Sequence, residues 1–279
     1  MSLRRAGPAD SAAIRAHLLA HLAGSMFPLS NLDRFGIDGT DRRSLRLWQA
    51  PGGVVAVTRD GMVLPQWTEG ADWPAFAALC PGPLIGAAGP ADQVRPCLAA
   101  LGLAGAPAIV DRDEPHFDLP LSEMRLPDCA GFTLVPARDA DPAVAAAWQA
   151  AFRVEALGCR PDENPRFARE EVAAAMAEDS LRILTQGGTP VAMTGFNARA
   201  AHAVQIGSVY TPPALRGRGL ARRAVALHLA EARDRAGVTF ATLFAASPAA
   251  ARAYRAIGFR PCGLFSVTGF AGQQRPRNG

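Results

Sequence analysis

The chain has 279 residues, enough for one large domain or two ordinary ones, and with 49% hydrophobic and 19% charged residues it can bury a core. All 29 basic residues are arginine, balanced by 25 acidic ones to a net charge of +4. That mixed, weakly positive field argues against a general nucleic-acid binder, and the absence of lysine excludes Schiff-base and Walker-type phosphate chemistry.

The N-terminal stretch "MSLRRAGPADSAAIRAHLLAHLAG" is interrupted by Asp10 and two histidines, so it reads as an amphipathic helix over about Pro8 to Ala23 rather than a leader. The apolar-to-polar segment "FPLSNLDRFG", Phe27 to Gly36, has no assigned element and could line a cleft. Three short strands follow, "SLRLWQ", "GVVAVTRD" and "MVLPQWT", joined by the turn sequences "APGG" and "DG". Asp72 then caps a short helix, "WPAFAAL", with Pro74 in its first turn. A strand "PLIGAAG", a helix "ADQVRPCLAALG" and two extended runs, "PAIVD" and "HFDLPL", close the first half. Between those runs, "DRDEPHFD" (Asp111 to Asp118) gathers four acids and a histidine and reads as a solvated turn, since its spacing matches no metal site.

"SEMRLPDCAG", Ser122 to Gly131, has the polar and Pro/Gly character of a linker. The second half opens with the strand "FTLVPA", a helix from Asp141 to Leu157 and another from Phe167 to Glu178. The strands "LRILTQ", "PVAMTGFNARA" and "AVQIGSVYT" lead to a long helix, Leu220 to Ala236. The strand "FATLFAA", the helix Pro248 to Ile257 and a last strand around "FRPCGLFSVTGF" complete it. Strand–strand–strand–helix–strand–helix–strand thus occurs twice, which points to a tandem duplication of a mixed α/β unit. The expected boundaries are 1–125 and 126–272, with 273–279 as a disordered tail.

Five scattered cysteines, Cys80, Cys97, Cys129, Cys159 and Cys262, form no C-x-x-C pair. They argue against a zinc site or a disulfide framework and suit a cytoplasmic protein. No stretch approaches the roughly 18 apolar residues of a membrane span.

The chemistry concentrates in "VYTPPALRGRGLARRAV", Val209 to Val225. Pro212-Pro213 ends a strand, and Leu220, Ala224 and Leu227 recur at helical spacing, so "RGRGLA" is a strand-to-helix loop plus a first helical turn. First-turn N–H groups lack intrahelical acceptors and sit at the positive end of the dipole, while glycine lets a ligand approach the backbone closely. Such a loop suits a diphosphate. A Rossmann fingerprint would need a third glycine where Arg222 stands, and a Walker loop would need lysine.

Arg216-Gly217-Arg218-Gly219-Leu220-Ala221 resembles the acyl-CoA signature of the GNAT superfamily of acyl-CoA-dependent N-acyltransferases, Gln/Arg-x-x-Gly-x-Gly/Ala after a strand ending near proline. "SPAAARAYRAIGFRPCG" resembles the family's second segment, Asn-x-x-Ala/Ser-x-x-x-Tyr-x-x-x-Gly-Phe, with Ser247 in the asparagine's place, Ala250, Tyr254 and Gly258-Phe259. The resemblance covers roughly Phe132 to Phe270; the first half lacks the loop and is similar to the degenerate half of tandem members. It implies two GNAT-like domains, each a mostly antiparallel mixed α/β sheet flanked by helices. It implies that Arg216, Gly217, Arg218, Gly219, Leu220 and Ala221 hold the diphosphate of acetyl-CoA through backbone N–H groups, with Ser247 as a further contact. It implies that Val209, Tyr210 and Thr211 pair with the pantetheine arm as with an added strand, and that Tyr254 donates a proton to the departing thiolate.

The implied activity is direct N-acetyl transfer, without a metal, to a primary amine of a small molecule, amino acid or peptide; the chain would be a monomer or homodimer with no nucleic-acid or membrane partner. A non-catalytic, regulatory CoA-binding protein is the alternative, because the strand "HAVQIGSVY" lacks the glutamate that many members carry there. Gln205 could orient a water, His202 lies at the strand's far end, and Glu155 and Glu163 are candidates for binding a cationic amine or taking its proton. Cys159 without a placed histidine is weak evidence for a cysteine relay. The base stays unassigned.

Overall fold

The computed structural model describes residues 3–162 and 164–277, and its contacts divide the chain into two compact units. The first unit takes the chain up to Pro115 and again from Gly263; the second runs His116–Cys262.

The first unit contains β1 (Arg4–Ala6), α1 (Ser11–Ala20), α2 (Leu22–Phe35), β2 (Leu45–Ala50), β3 (Gly53–Thr58), β4 (Met62–Trp67), α3 (Trp73–Leu79), β5 (Leu84–Pro90), α4 (Ala91–Ala100) and most of β6 (Ala108–Pro120). The second contains the end of β6, then β7 (Phe132–Pro136), α5 (Pro142–Leu157), α6 (Asn164–Ala177), β8 (Leu181–Gln186), β9 (Thr189–Ala200), β10 (Ala203–Tyr210), α7 (Leu220–Ala236), β11 (Phe240–Phe244), α8 (Pro248–Ala256) and the start of β12 (Arg260–Gln274). The repeated order is present as β2-β3-β4-α3-β5-α4-β6 and β8-β9-β10-α7-β11-α8-β12.

The topology repeats too. In each unit the sheet is antiparallel except where the third repeat strand meets the fourth: β4 runs parallel to β5, and β10 parallel to β11. The last strands are exchanged. β5 pairs with β12, whose residues Phe265–Gly269 lie opposite Gly86–Pro90, and β11 pairs with the end of β6, Phe244 opposite His116 through Phe240 opposite Pro120. This exchange moves the division from the expected 125/126 to 115/116 and returns 263–277 to the first unit. Of the expected tail, Gln273 and Gln274 extend β12, and the Arg277 N–H donates to the Leu101 carbonyl at 2.9 Å.

Two segments differ from the sequence expectation. Phe27 to Gly36 is not irregular: most of it is α2, which tolerates Pro28 and buries Ser25, Met26, Leu29, Ser30 and Leu32. The proline and the polar residues of its buried face masked the helical period. "DRDEPHFD" is not a turn but the middle of β6. Two of its acids have partners in the fold: Asp111 Oδ1 accepts from Arg95 Nη1 at 2.5 Å and from Thr268 Oγ1 at 3.0 Å, and Asp113 Oδ1 accepts from Arg95 Nε at 2.9 Å and from the Ser266 hydroxyl.

The first unit's core packs Trp48, Val55, Val57, Phe76, Val94 and Leu98, with Trp67 and Trp73 edge to face at 5.5 Å. In the second unit, α7 and α8 cover one face of the sheet (Phe117, Leu119, Val204, Ile206, Ala241, Leu243), and α5 and α6 cover the β8–β9 end of the other (Leu181, Ile183, Met193). Arg182 on β8 ties α7 to this sheet: its side chain is 5% exposed and bonds both carboxylate oxygens of Glu231 (3.0 and 3.1 Å) and of Asp179 (2.9 and 3.1 Å). Among the described residues no helix is long and apolar enough to cross a membrane, and no three His, Cys, Asp or Glu side chains cluster to hold a metal ion.

Candidate active site

The site begins where β10 and β11 part. They pair at Ala203–Phe240, Val204–Ala241 and Gln205–Thr242, and no further. On its other side β10 keeps pairing with β9, but the register slips between Gln205 and Ile206 and again between Gly207 and Tyr210, with Ser208 in the left-handed region (φ 49°). This β-bulge turns the backbone of Ser208 and Val209 out of the ladder. From Ile206 to Tyr210, β10 therefore presents an edge that β11 does not cover.

That edge runs into the loop. Pro213–Leu215 make one 3₁₀ turn, with the Leu215 N–H donating to the Pro212 carbonyl at 2.8 Å. Gly217 (φ 80°) and Gly219 (φ 71°) both take left-handed conformations that side chains disfavour. Gly219 is the N-cap of α7 and brings no side-chain cap. The first N–H of the helix to find a backbone acceptor is that of Arg223, which donates to the Gly219 carbonyl at 3.3 Å. The N–H groups of Leu220, Ala221 and Arg222 are therefore available to a ligand, and beyond Gly217 lies open space.

Two arginines support the loop. The Arg216 Nε donates to the Thr211 carbonyl at 3.0 Å, its Nη2 pairs with Glu155 Oε2 of α5 at 2.6 Å, and it lies over the Tyr210 ring. Arg223 stacks on Phe132 and donates to the carbonyls of Asp128 (2.7 Å) and Arg218 (2.9 Å). Both brace the loop through its carbonyls. Tyr210 is buried between Trp148 and this ion pair; burial, with Glu155 alongside, raises its phenol above the ordinary range, and Arg216 opposes the shift.

The other candidates fall as follows. Ser247 Oγ accepts the Ala250 N–H at 3.2 Å and caps α8. Tyr254 is buried on α8, edge to face with Phe259 at 6.0 Å. His202 lies in the turn before β10, at the end away from the loop. Cys159 follows the C-terminus of α5, its N–H donating to the Arg153 carbonyl at 3.2 Å. Glu155 is committed to Arg216, and Glu163 lies outside the described residues. Sequence reasoning missed the Glu155–Arg216–Tyr210 cluster, whose members are up to 61 residues apart, and a buried His116 Nε2···Thr242 Oγ1 contact at 2.8 Å, 126 residues apart. No local signal marks either.

In the first unit the equivalent cleft is filled by its own groups. β4 and β5 pair only at Met62–Gly86 and Val63–Ala87, yet the freed edge of β4 is occupied. The Trp67 N–H donates to Gln93 Oε1 at 2.8 Å, and the Gln66 carbonyl bonds His17 Nε2 at 3.0 Å. Asp72 Oδ1 accepts the Ala75 N–H at 2.9 Å, putting a carboxylate where the second unit has open N–H groups.

Residues 143–259 match the model of the Acetyltransferase (GNAT) family. No curated protein matches. Among solved structures, the chain is similar to a GCN5-related N-acetyltransferase from Kribbella flavida (18% identity, 94% of this chain and 96% of that one, TM-score 0.54). A Drosophila protein is similar at 14% identity, 96% and 98% coverage and TM-score 0.65. A tandem GNAT protein from the clavulanic acid biosynthesis pathway is similar at 16% identity, 96% and 97% coverage and TM-score 0.51. At these identities the likeness speaks for the fold. The parted parallel strands, the glycine loop and the family match together make the second half of this chain a GNAT-superfamily domain, in a chain with the two-unit fold of tandem GNAT proteins.

Proposed function

We propose that the second unit is an N-acetyltransferase using acetyl-CoA and a primary amine of a small molecule, amino acid or peptide. The observation that carries this is the continuity of the uncovered β10 edge with the N–H groups at the start of α7. The residues present fit the cosubstrate: the edge accepts an amide-bearing arm by strand-like pairing, the first-turn N–H groups and the helix dipole suit a diphosphate, and Thr211 Oγ1 is a buried polar atom without a partner. When bound, acetyl-CoA supplies an activated acyl group. Val209 and Thr211 hold the arm; Gly217, Gly219, Leu220 and Ala221 hold the diphosphate; Arg216 and Arg223 keep the loop in shape. Tyr254 is assigned to protonate the departing thiolate as general acid. Removing water from the cleft raises the weight of each of these contacts.

The competing role, a CoA-binding sensor, draws on Gln205 standing where a carboxylate base would be convenient. The two separate on CoA release with a panel of amines. Amine-dependent release that falls at least tenfold in Tyr254→Phe supports the enzyme; binding without release under any amine supports the sensor.

A further inference from the structure

The strand residues where the cleft opens are uncharged: Gln205 and Gly207 of β10 and Thr242 of β11. Side chains alternate faces along a strand. Val204 and Ile206 of β10, Ala241 and Leu243 of β11, and Phe117 and Leu119 of β6 all pack under α7 and α8. Gln205, Thr242, His116 and Asp118 therefore share the opposite face. Gln205 and Thr242 are register partners at the last rung before the strands part, so this face forms the wall of the opening. Gly207 continues it, and the Asn197 side chain fills the place where a Cβ on Gly207 would stand.

The wall holds a buried, unpaired acceptor. Gln205 is 3% exposed; its Nε2 donates to the Ile206 carbonyl at 2.8 Å, while its Oε1 is buried with no partner. A buried acceptor left unpaired is costly, so it points to a ligand N–H. Beside it Thr242 is fully buried: its hydroxyl donates to the Phe117 carbonyl at 2.9 Å, and having only one proton it accepts from His116 Nε2. Burial brings His116 down to about 4, so the imidazole is neutral at physiological pH. Asp118, on this face, belongs to β6, a strand beyond Thr242, with Arg260 and Glu123 as its charged neighbours, and α5, packed against the same face at Tyr210, adds Glu155, which is already paired with Arg216.

We infer that Gln205 Oε1 seats the acceptor amine, and that this wall selects a weakly basic amine of the α-amino type over a strongly basic alkylamine. This rests on the acyl-transfer role proposed above. A neutral wall cannot repay the desolvation of an ammonium ion, and an amide cannot take its proton. The amine enters neutral, with one N–H donated to Gln205. Its lone pair forms the C–N bond as the C–S bond of the thioester breaks, the electron pair leaving on sulfur. One amine proton stays in the amide, the other passes to water, and the thiolate takes a proton from Tyr254, which regains one from solvent.

The test compares alanine amide with n-butylamine, whose basicities bracket an α-amino group (pKa about 8) and a lysine-type amine (about 10.4). At pH 7 the neutral fractions differ by about 230-fold, so kcat/KM per total amine is expected to favour alanine amide by about 100-fold or more, and the ratio should shrink about sixfold per unit as pH rises from 8 to 10. Gln205→Glu, which installs a carboxylate able to pair with an ammonium, should narrow the pH 7 ratio below about tenfold. Gln205→Leu should keep the ratio while lowering both rates, with acetyl-CoA affinity held in both variants. Comparable rates for the two amines at pH 7 or an unchanged ratio in Gln205→Glu would each overturn the inference; no turnover of either amine by protein that binds acetyl-CoA would count against the acyl-transfer role. Failure to bind acetyl-CoA at all would instead overturn the acyl-transfer role beneath it.

Discussion

His228 gives a stability prediction that separates burial from hydrogen bonding. It lies on the inner face of α7, 1% exposed, stacked on Phe196 at 3.7 Å, and neither ring nitrogen has a hydrogen-bond partner. Burial, with Arg182 and Arg199 nearby, drives its pKa well below 6.5. Each orphaned polar group costs about 1–3 kcal/mol, whereas the aromatic stack contributes about 0.5–1.5 kcal/mol. His228→Leu, of similar volume, should therefore be neutral or stabilising by up to about 2 kcal/mol at pH 7.

The pH dependence is sharper. The folded state resists protonation while the unfolded histidine titrates near 6.5, so the unfolded state binds more protons as pH falls. Stability is complete above about pH 6.5 and declines below it, by up to about 1.4 kcal/mol per unit for each such histidine. His116, brought down to about 4, behaves the same way. From pH 7 to pH 5 each contributes a loss of about 2 kcal/mol, so wild type should lose about 4 kcal/mol through these two groups and His228→Leu about 2. Urea unfolding followed by circular dichroism at the two pH values measures both quantities. A variant destabilised by more than about 2 kcal/mol at pH 7, or one with the wild-type loss on acidification, would refute the reasoning.

Arg182→Ala leaves a buried gap and removes one partner from Asp179 and Glu231, which keep Arg138 and Arg235, and should cost about 2 kcal/mol, read as a fall of about 5 °C in Tm. Glu155→Gln separates two accounts of Arg216: if the ion pair braces the loop, acetyl-CoA affinity measured by calorimetry drops several-fold, whereas a purely electrostatic role for Glu155 would raise it. Asp72→Ala removes the cap of α3 and should lower stability by about 1 kcal/mol in a urea titration, without opening a second CoA site because Gln93 and His17 still occupy the edge of β4.

The duplicated order was legible because it is written in local signals: period-2 strands, the cap Asp72, and the prolines at helix starts that follow Asp141 and Ser247 all survive into the structure. The glycine loop was legible for the same reason, since its strand, 3₁₀ turn and left-handed glycines are contiguous. What stayed hidden depends on partners far away in sequence. α2 takes its stability from burying one face rather than from helix-favouring residues, and β6 continues through four acids because Arg95, Ser266 and Thr268 satisfy two of them. The exchange of β6 and β12 between the sheets follows from pairing over more than a hundred residues, which no local pattern encodes. Arg216 was marked by its motif, but its engagement by Glu155 was not.

Calorimetric titration of the full chain with acetyl-CoA, beside Gly219→Val, tests the central claim most directly. Valine at φ 71° is strained, and its Cβ would meet Arg222 Nε at 2.8 Å at the mouth of the loop. The account predicts one acetyl-CoA per chain with micromolar affinity, weakened at least tenfold in a variant that keeps its circular dichroism spectrum. Two sites per chain, or binding indifferent to the substitution, would contradict it.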